Sequence, residues 1–445
     1  MRKRGLRNEK RYFMLNRDCL LEKGRKNGVI CNFLDQSYYC IDKEGLILLD
    51  NCNKGIDLKT LRQRTQLRKS RLISFLSRLE DLKLGRFYRY KVFIDSYDKL
   101  EDKAYDIEKS NEKVRIRTLI IEINQKCGLN CIQCNSIKNN NNYNFCGCSL
   151  SEYDREFQLI KVEKMMRDIM IYKPDEVFIT GGDPFLSGKL LVKLISFLKG
   201  LGISTISIFT NGTAISKSII SPLKENDVKL YIPIYSYENN YHDSITRNSG
   251  SFKATKNNIE SLNKNKINII PIIYITERNY HNFNKIVEFV KEISSEPYKV
   301  DFIYPKVGKY LRRSANKDFI KAYNSFKQYV SLDYESYLTN KLINYCLFGK
   351  VAITLGGNIL PCQSARNNII GNIFNNQLKI NDVLKRGLID FYWYLTKDKT
   401  GICKYCEFRY ICLDCPVLAH KIDGPVISGN LYCNYNPLRG GERYE

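Results

Sequence analysis

The sequence predicts an α/β protein, with a partial (β/α)6 barrel between a small N-terminal domain and a cysteine-rich C-terminal segment. Two observations lead to this prediction. Six short apolar runs alternate with longer segments of helical periodicity in the middle of the chain, and the 16 cysteines fall into three groups, with none from residue 149 to 345. Alternating strands and helices favour a parallel sheet. Six repeats rather than eight favour a partial over a complete barrel.

The N-terminal domain is predicted over residues 1–97. Its last predicted helix carries Leu72, Leu76 and Leu79 at helical spacing, which gives that helix one apolar face. Residues 98–114 are charged and weakly apolar, and they predict a linker. The predicted elements are strands at 29–33, 37–41 and 87–94 and helices at 44–51, 58–64 and 70–83.

The barrel is predicted over residues 115–330, and the remaining residues, 331–445, form the cysteine-rich segment. Because that segment has poor periodicity, it predicts little core and a need for metal. The predicted barrel elements are strands at 118–123, 176–180, 205–210, 229–235, 269–275 and 300–303 and helices at 159–171, 188–198, 216–225, 253–263 and 282–293.

The composition limits the classes of function. The formal charge of +24, from 71 Lys and Arg against 47 Asp and Glu, suits an acidic peptide or another polyanion, although the basic residues are spread along the chain. No apolar run approaches the ~18 residues of a membrane span, and the N-terminus lacks the apolar stretch of a secretory signal. We therefore expect a cytoplasmic protein with no membrane partner. Only three His are present, which argues against His-based zinc sites and a His-centred triad.

Three cysteines, Cys127, Cys131 and Cys134, follow the first predicted barrel strand. Ligands bind at this end of the strands in parallel α/β proteins. Three thiolates in eight residues can ligate three irons of a 4Fe–4S cluster and leave the fourth iron open. A structural zinc ion needs four ligands, and the next thiols, Cys146 and Cys148, come only after an Asn-rich loop. The spacing therefore predicts an iron–sulfur site.

The segment with these three cysteines resembles the radical S-adenosylmethionine (SAM) enzymes, as do three later motifs: Gly181 to Pro184, Thr210-Asn211-Gly212, and the stretch from Ser236 through Arg247 to Phe252. The C-x3-C-x2-C spacing matches the signature of that family, although Gln133 stands where an aromatic residue is usual. Gly181-Gly182-Asp183-Pro184 resembles the GGEP element that holds the SAM amino group, with Asp in place of Glu. The resemblance covers about residues 115–310. It implies that SAM is bound by Gly181, Gly182, Asp183, Asn211, Ser236 and Arg247.

The C-terminal cysteines resemble the SPASM extension of peptide-modifying radical SAM enzymes. A zinc ribbon is the alternative, but zinc ribbons usually separate their C-x2-C pairs by more than five residues. The resemblance implies two auxiliary 4Fe–4S clusters, and thus three clusters in all. Residues 347–361 hold no Cys or His, so an open iron is implied on the proximal cluster. The implied ligands are Cys403, Cys406, Cys412 and Cys433 for the distal cluster and Cys346, Cys362 and Cys415 for the proximal one.

The N-terminal domain resembles the winged-helix-like recognition element of peptide-maturation enzymes. In that family the element binds a leader peptide by adding a strand to its sheet. A DNA-binding winged helix fits the same pattern. Cys19, Cys31, Cys40 and Cys52 lack ligand spacing and are interpreted as buried apolar residues. The side chains that suit an acidic leader are Arg68, Lys69, Arg71, Arg78 and Lys83.

The resemblance implies a peptide-modifying oxidoreductase that takes hydrogen from a ribosomally made precursor peptide and forms a cross-link, either a Cys thioether or a carbon–carbon bond. Expected partners are the precursor with its leader and an electron donor such as ferredoxin or flavodoxin, with no nucleic acid. An epimerising maturase and an anaerobic sulfatase-maturating type of enzyme remain alternatives. The non-enzyme alternative is a zinc-dependent nucleic-acid-binding protein. No general acid or base is assigned.

Overall fold

The computed structural model describes residues 11–92, 116–134, 143–144, 147–148, 157–295, 297–305, 332–375, 378–412, 415, 433 and 435–442. Its elements form three regions along the chain, in the order that the sequence predicts. In the described part of the chain, no helix has both the length and the apolar character needed to cross a membrane.

The N-terminal region combines two small antiparallel sheets with three helices. Strands β2, β3 and β4 form one sheet, and β1 pairs with β5. Asp42 and Asp57 cap the first two helices by accepting hydrogen bonds from backbone N–H groups of the first turn. The elements are β1 (Tyr12–Leu15), β2 (Cys19–Lys23), β3 (Gly28–Asn32), β4 (Ser37–Ile41), α1 (Lys43–Asn53), α2 (Leu58–Thr65), α3 (Lys69–Asp81) and β5 (Gly85–Tyr88).

Two details of the N-terminal prediction were wrong. Strands β1 and β2 were not predicted. The closing strand begins at Gly85 and ends at Tyr88 rather than running from 87 to 94, because β1 offers only four residues for it to pair with. The three helices and the two other strands are confirmed to within about two residues at each end.

The middle region contains all six predicted strands. Strands β6 and β8 to β12 lie side by side in chain order, and each pair is parallel. The elements are β6 (Thr118–Glu122), β7 (Tyr143–Asn144), α4 (Leu159–Ile169), β8 (Glu176–Thr180), α5 (Gly188–Gly200), β9 (Thr205–Phe209), α6 (Ile220–Glu225), β10 (Lys229–Ile234), α7 (Asn239–Thr246), α8 (Ser251–Lys264), β11 (Ile269–Ile275), α9 (Phe283–Ile293), β12 (Lys299–Phe302) and β13 (Tyr304–Pro305).

Alternate residues of these strands belong to two different cores. Leu119, Val177 and Ile206 lie in the large core that also contains the helices. Phe209 and Tyr231, from the opposite strand faces, belong to a smaller cluster. This division follows from the two-residue period of a strand. The second face is the interior of the barrel, and it leads to the carboxyl ends of the strands.

The C-terminal region extends the barrel sheet, which the sequence did not predict. Strand β14 pairs parallel to β6, and β15 and β16 follow antiparallel, which gives a sheet of nine strands. Val351 and Trp393 join the main core, so the expectation of little core in this region was wrong. The elements are α10 (Tyr334–Leu342), β14 (Lys350–Ile353), β15 (Asn358–Leu360), β16 (Gly371–Asn372), α11 (Ile380–Lys385), α12 (Asp390–Trp393), β17 (Tyr435–Asn436) and β18 (Gly441–Glu442).

Candidate functional site

The three-Cys loop comprises residues 127–134, which follow β6 at the carboxyl end of the parallel strands. Cys127 is exposed, Cys131 half-buried and Cys134 buried. Burial raises the pKa of the Cys131 thiol, and the neighbouring charges of Cys127 and Cys134 add to this effect. Charges act on one another in this way only at short distances, so the three thiols lie close together. Cations held between them would relieve it, so the donor set fits an iron–sulfur cluster.

The neighbouring carboxyl group, that of Asp183, is fully buried, and only one of its two oxygens accepts hydrogen bonds from described residues. Its Oδ1 accepts hydrogen bonds from Thr210 Oγ1 at 2.8 Å and from the Phe185 N–H at 3.2 Å. Among the residues that the structure describes, none donates a hydrogen bond to its Oδ2. Burial raises the pKa of this carboxyl to about 6, although both hydrogen bonds oppose the shift. A buried carboxylate oxygen that lacks a donor fits a cationic ligand such as an ammonium group.

The two glycines before Asp183 let its loop pass against residues 124–126, which lead into the three-Cys loop. Gly181 has φ of +145°, and a Cβ there would lie 2.4 Å from Asn124 O. A Cβ on Gly182 would lie 2.3 Å from Lys126 O. A backbone hydrogen bond joins Asp183 to the same segment, since the Asp183 N–H donates to Lys126 O at 2.7 Å. Glycine is therefore required at both positions by close contact with backbone atoms.

Two further predicted SAM contacts lie beside the thiols. Asn211 Nδ2 donates to Cys127 Sγ at 3.6 Å. Arg247, at the end of α7, is close enough for its charge to oppose the raised pKa of Cys131. Backbone bonds from Asn130 and Ile132 to the last turn of α7 fix that helix against the three-Cys loop. The structure therefore brings Asn211 and Arg247 to the cysteines.

Ser236 has a more local role. Its Oγ accepts a hydrogen bond from the Glu238 N–H at 3.0 Å, in the turn after β10. It adjoins Tyr235, whose pKa is raised by burial and by the charges of Cys131 and Cys148. Gln133, the departure from the usual aromatic, hydrogen-bonds to Tyr235. Gln133 is buried, and no described residue donates a hydrogen bond to its Oε1.

One thiol that sequence reasoning left unassigned lies at this site. Cys148 packs against the barrel interior cluster, and its pKa is raised by burial and by the charges of Cys134, Cys131 and Cys127. The carbonyl of Gly147 accepts a hydrogen bond from Thr180 Oγ1 at 3.3 Å. The sequence offered only proximity to the motif as a signal, because an Asn-rich loop without periodicity separates the two.

The three cysteines of the implied proximal set lie in one part of the C-terminal region. Cys346 interacts with Cys415, and Lys350 Nζ donates to Cys346 Sγ at 3.5 Å. These two interactions hold the pKa of the Cys346 thiol well below its ordinary value. Cys362 is buried and packs in one small cluster with Cys415. A thiol that is readily ionised is suited to bind metal.

Three cysteines of the implied distal set, Cys406, Cys412 and Cys433, lie near one another. Burial raises the pKa of Cys406, and the charges of Cys412 and Cys433 contribute. The Cys406 N–H donates to Cys403 O at 2.9 Å, within one turn of chain. In the described part of the chain, no three His, Cys, Asp or Glu side chains converge on a point that suits a single metal ion. A 4Fe–4S cluster differs from that case because each thiolate binds a different iron.

Comparison with known proteins assigns the middle region to a class. Residues 121–290 match the radical SAM superfamily. The match spans the three-Cys loop, Asp183, Asn211 and Arg247. It supports an enzyme that uses SAM and a 4Fe–4S cluster.

Individual relatives are more distant. An uncharacterised protein of Methanocaldococcus jannaschii is 23% identical over 286 residues, which are 61% of this chain and 94% of that protein. Streptococcus suis SuiB bound to S-adenosylmethionine has a TM-score of 0.51 and 16% identity, over 95% of this chain and 100% of SuiB. Native anSMEcpe bound to AdoMet and the Cp18Cys peptide has a TM-score of 0.54 and 17% identity, over 72% of this chain and 94% of that one. These structural similarities show a shared fold.

Proposed function

We propose that this protein is a SPASM-type radical SAM maturase that modifies a ribosomally made precursor peptide. The observation that carries the proposal is the three-Cys loop lying against a buried carboxylate oxygen that lacks a donor. Cys127, Cys131 and Cys134 would hold the cluster, and Asp183 would accept from the SAM ammonium group. When bound, these two cofactors supply one-electron chemistry that cleaves SAM and abstracts hydrogen from a carbon. An external electron donor of the ferredoxin or flavodoxin type would reduce the cluster.

The other residues of the site orient the reactants. Gly181 and Gly182 let the SAM-binding loop approach the thiols, and Asn211 donates to one of them. Arg247 adds a positive charge beside the cluster site, where thiolates concentrate negative charge. The interior cluster of Tyr231, Tyr274 and their neighbours lies beneath and excludes water.

A peptide substrate is supported by the N-terminal domain. In the part of the chain that the structure describes, β4 pairs with β3 alone, so its other edge has hydrogen-bonding groups to offer an added strand. The five basic side chains predicted to face an acidic leader are all exposed on or next to α3. Among the solved structures with this fold, anSMEcpe is described with a bound peptide.

The proposed product is a thioether made with a substrate Cys. Cys346, Cys362 and Cys415 supply three thiolates, which leave one iron of a proximal cluster for an incoming ligand. A substrate thiolate is the soft ligand that suits this position. The C–H hydrogen atom would be taken up by the fragment of cleaved SAM, the S–H hydrogen would leave as a proton, and the remaining electron would pass to an iron–sulfur cluster. A C–S bond forms, so the peptide becomes lighter by two hydrogens. Full ligation of the distal cluster would leave no such position there.

Mass spectrometry of candidate precursor peptides tests this proposal. The peptides are incubated anaerobically with iron-loaded enzyme, SAM and a reductant. A loss of two hydrogens that disappears when the substrate Cys is changed to Ser supports the thioether. The same loss without any Cys indicates a carbon–carbon bond, and an unchanged mass with an inverted residue indicates epimerisation. Aldehyde formation at Cys or Ser would indicate the sulfatase-maturating type. Zinc in place of iron in anaerobically prepared protein would refute the radical SAM reading.

A further inference from the structure

The second turn of the N-terminal domain is held by the segments that carry the distal cysteines. Residues 24–27 connect β2 to β3. The Arg25 N–H donates to Tyr405 O at 2.9 Å. Asn27 Nδ2 donates to Gly440 O at 3.1 Å and to Tyr435 Oη at 3.3 Å. We call the surface formed by residues 403–412 and 435–440 the distal socket. It consists of two chain segments that are far apart in sequence.

Arg409 is the polar centre of this contact. Its Nη2 lies 2.9 Å from Glu22 Oε2, and both side chains are largely buried. Its Nη1 donates to Lys23 O at 2.8 Å and to Cys406 O at 2.9 Å. A single guanidinium therefore binds both the β2 strand and the backbone of a predicted cluster ligand. Such multiple, directional bonds fix orientation as well as contact.

The fit is also steric. A Cβ at Gly24 would lie 2.4 Å from Glu407 Oε2 and 2.9 Å from Glu407 N. The turn therefore fits the socket only when residue 24 is glycine. Around it, Tyr38 and Phe408 meet edge to face at 5.9 Å between ring centroids. Val29 and Cys31 are buried in a cluster with Phe408. The N-terminal domain is thus packed against the socket by apolar, steric and ionic contacts together.

Regular secondary structure contributes little to the socket itself. Among its described residues, the regular elements are one 3-10 turn, Cys403–Tyr405, and the two-residue strand β17. A segment with so few backbone ladders needs another source of order, and metal binding supplies folding free energy directly. Three distal thiols lie in the first segment of the socket, and the fourth, Cys433, lies two residues before the second segment, so one cluster would hold the segments together.

We propose that iron loading at Cys403, Cys406, Cys412 and Cys433 completes the distal socket and thereby fixes the N-terminal domain on the enzyme. This inference rests on the proposed function, because it requires a cluster at the distal set. The distal site then has a defined task, which is to position the peptide-binding domain. Coupling between two sites is reciprocal, so a domain that is forced out of the socket must weaken iron retention there.

Hydrogen exchange of the iron-loaded protein tests the coupling. The measured quantities are the exchange of residues 19–32 and the iron content per chain. The Cys406→Ala variant should lose the iron of one cluster and exchange residues 19–32 at least about tenfold faster. Gly24→Val keeps every iron ligand, and it should show the same faster exchange and about tenfold faster loss of iron to a chelator. Lys26→Ala, at an exposed position in the same turn, is the matched control and should match the wild type.

The outcomes distinguish the presence of a distal cluster from its coupling to the N-terminal domain. If Cys406→Ala loses no iron, the distal cluster itself is wrong, and with it that part of the proposed function. If iron is lost but residues 19–32 exchange as in the wild type, the cluster exists and the coupling is wrong. A chelation time course on the wild type avoids any doubt about the folding of variants. There, loss of distal iron and deprotection of residues 19–32 should advance together, and separate time courses would overturn the coupling.

Discussion

The side-chain amide of Gln363 donates a hydrogen bond to the carbonyl oxygen of Gly147, with 3.3 Å between Nε2 and O. Gln363 follows a proximal cysteine, Cys362, and Gly147 precedes Cys148 at the barrel site. This bond therefore joins the two places where cysteines gather in the barrel and in the C-terminal region. Thr180 donates to the same oxygen from the end of β8. Gln363 and Thr180 thus both bind the residue that precedes Cys148.

Cys148 should react slowly with alkylating reagents near neutral pH. Its pKa is raised by burial and by negative neighbours, so the thiol stays protonated, and the thiolate is the reactive form. Gln363→Ala removes one support of its segment and should increase labelling of Cys148 severalfold. Peptide mass spectrometry of anaerobically labelled protein measures this. Cys40 serves as the internal reference, because it is exposed and not buried as the sequence predicted. Equal labelling of Cys148 in both proteins would refute the supporting role of Gln363.

Asp183→Asn should weaken SAM binding by about ten- to a hundredfold. The change removes a charge-assisted contact worth about 1.5–3 kcal/mol, and each 1.4 kcal/mol corresponds to tenfold. Equilibrium dialysis with labelled SAM measures the loss, and iron content should stay at the wild-type value. Unchanged affinity would show that another group holds the SAM ammonium.

SAM affinity should also depend on pH in the wild type. The Asp183 pKa is about 6 before SAM binds, and the ammonium group requires the ionised carboxylate. Affinity is therefore constant well above pH 6 and should fall as the pH drops below 6, by up to tenfold per unit. Asp183→Asn removes the titrating group, so its SAM affinity should be flat over the same range. A parallel fall in both proteins would assign the dependence elsewhere.

Gly181→Ala should lower the free energy of unfolding by about 1–3 kcal/mol. The new Cβ meets Asn124 O, a backbone atom that cannot rotate away, and the backbone there is in a region that L-residues rarely adopt. Gly200→Ala is the matched control, because a Cβ there has no neighbour within 4 Å. Chemical denaturation of both variants provides the comparison, and equal stability would contradict the close approach of the two loops.

Replacing Cys127, Cys131 and Cys134 together by Ala should remove one cluster of three and abolish SAM cleavage. The two auxiliary clusters should remain, because their ligands lie on separate segments of the chain. Iron analysis and detection of SAM cleavage products measure the two effects. Replacing Cys52, which is buried in the N-terminal core, should change neither the iron content nor SAM cleavage.

Charge reversal at Arg68 and Lys69 should weaken binding of an acidic leader peptide by roughly tenfold at low salt, because both exposed cations lie at the start of α3. Fluorescence anisotropy of a labelled leader is the measurement, and Lys193→Glu on the exposed face of α5 is the control. If the α3 variant and the Lys193→Glu control bind the leader with equal affinity, the leader is recognised elsewhere on the protein. Point changes are a cleaner test than deletion of the domain, because deletion uncovers Tyr337 and Tyr410, which pack with Leu20.

Most of the barrel and of its site could be predicted from local patterns in the sequence. The apolar runs of the six strands are short and continuous because helices cover them, and the C-x3-C-x2-C spacing is a property of one loop. Features that depend on distant pairing were missed. Strand β1 finds its partner β5 about 70 residues later, and β14 joins a strand more than 200 residues earlier. Cys148 is placed by Thr180 and Gln363, and neither its spacing nor its neighbours in sequence reveal this.

The parallel pairing of β6 with β14 has a consequence for synthesis of the chain. One edge of β6 cannot pair with β14 until about 230 further residues have left the ribosome. This takes on the order of 10–50 s at 5–20 residues per second. During that interval the three-Cys loop is complete while the sheet beneath it is open on one side. Iron delivered then would meet these thiols before the C-terminal cysteines exist. The order of the strands therefore allows iron to bind at the barrel site before it can bind at the two C-terminal sites.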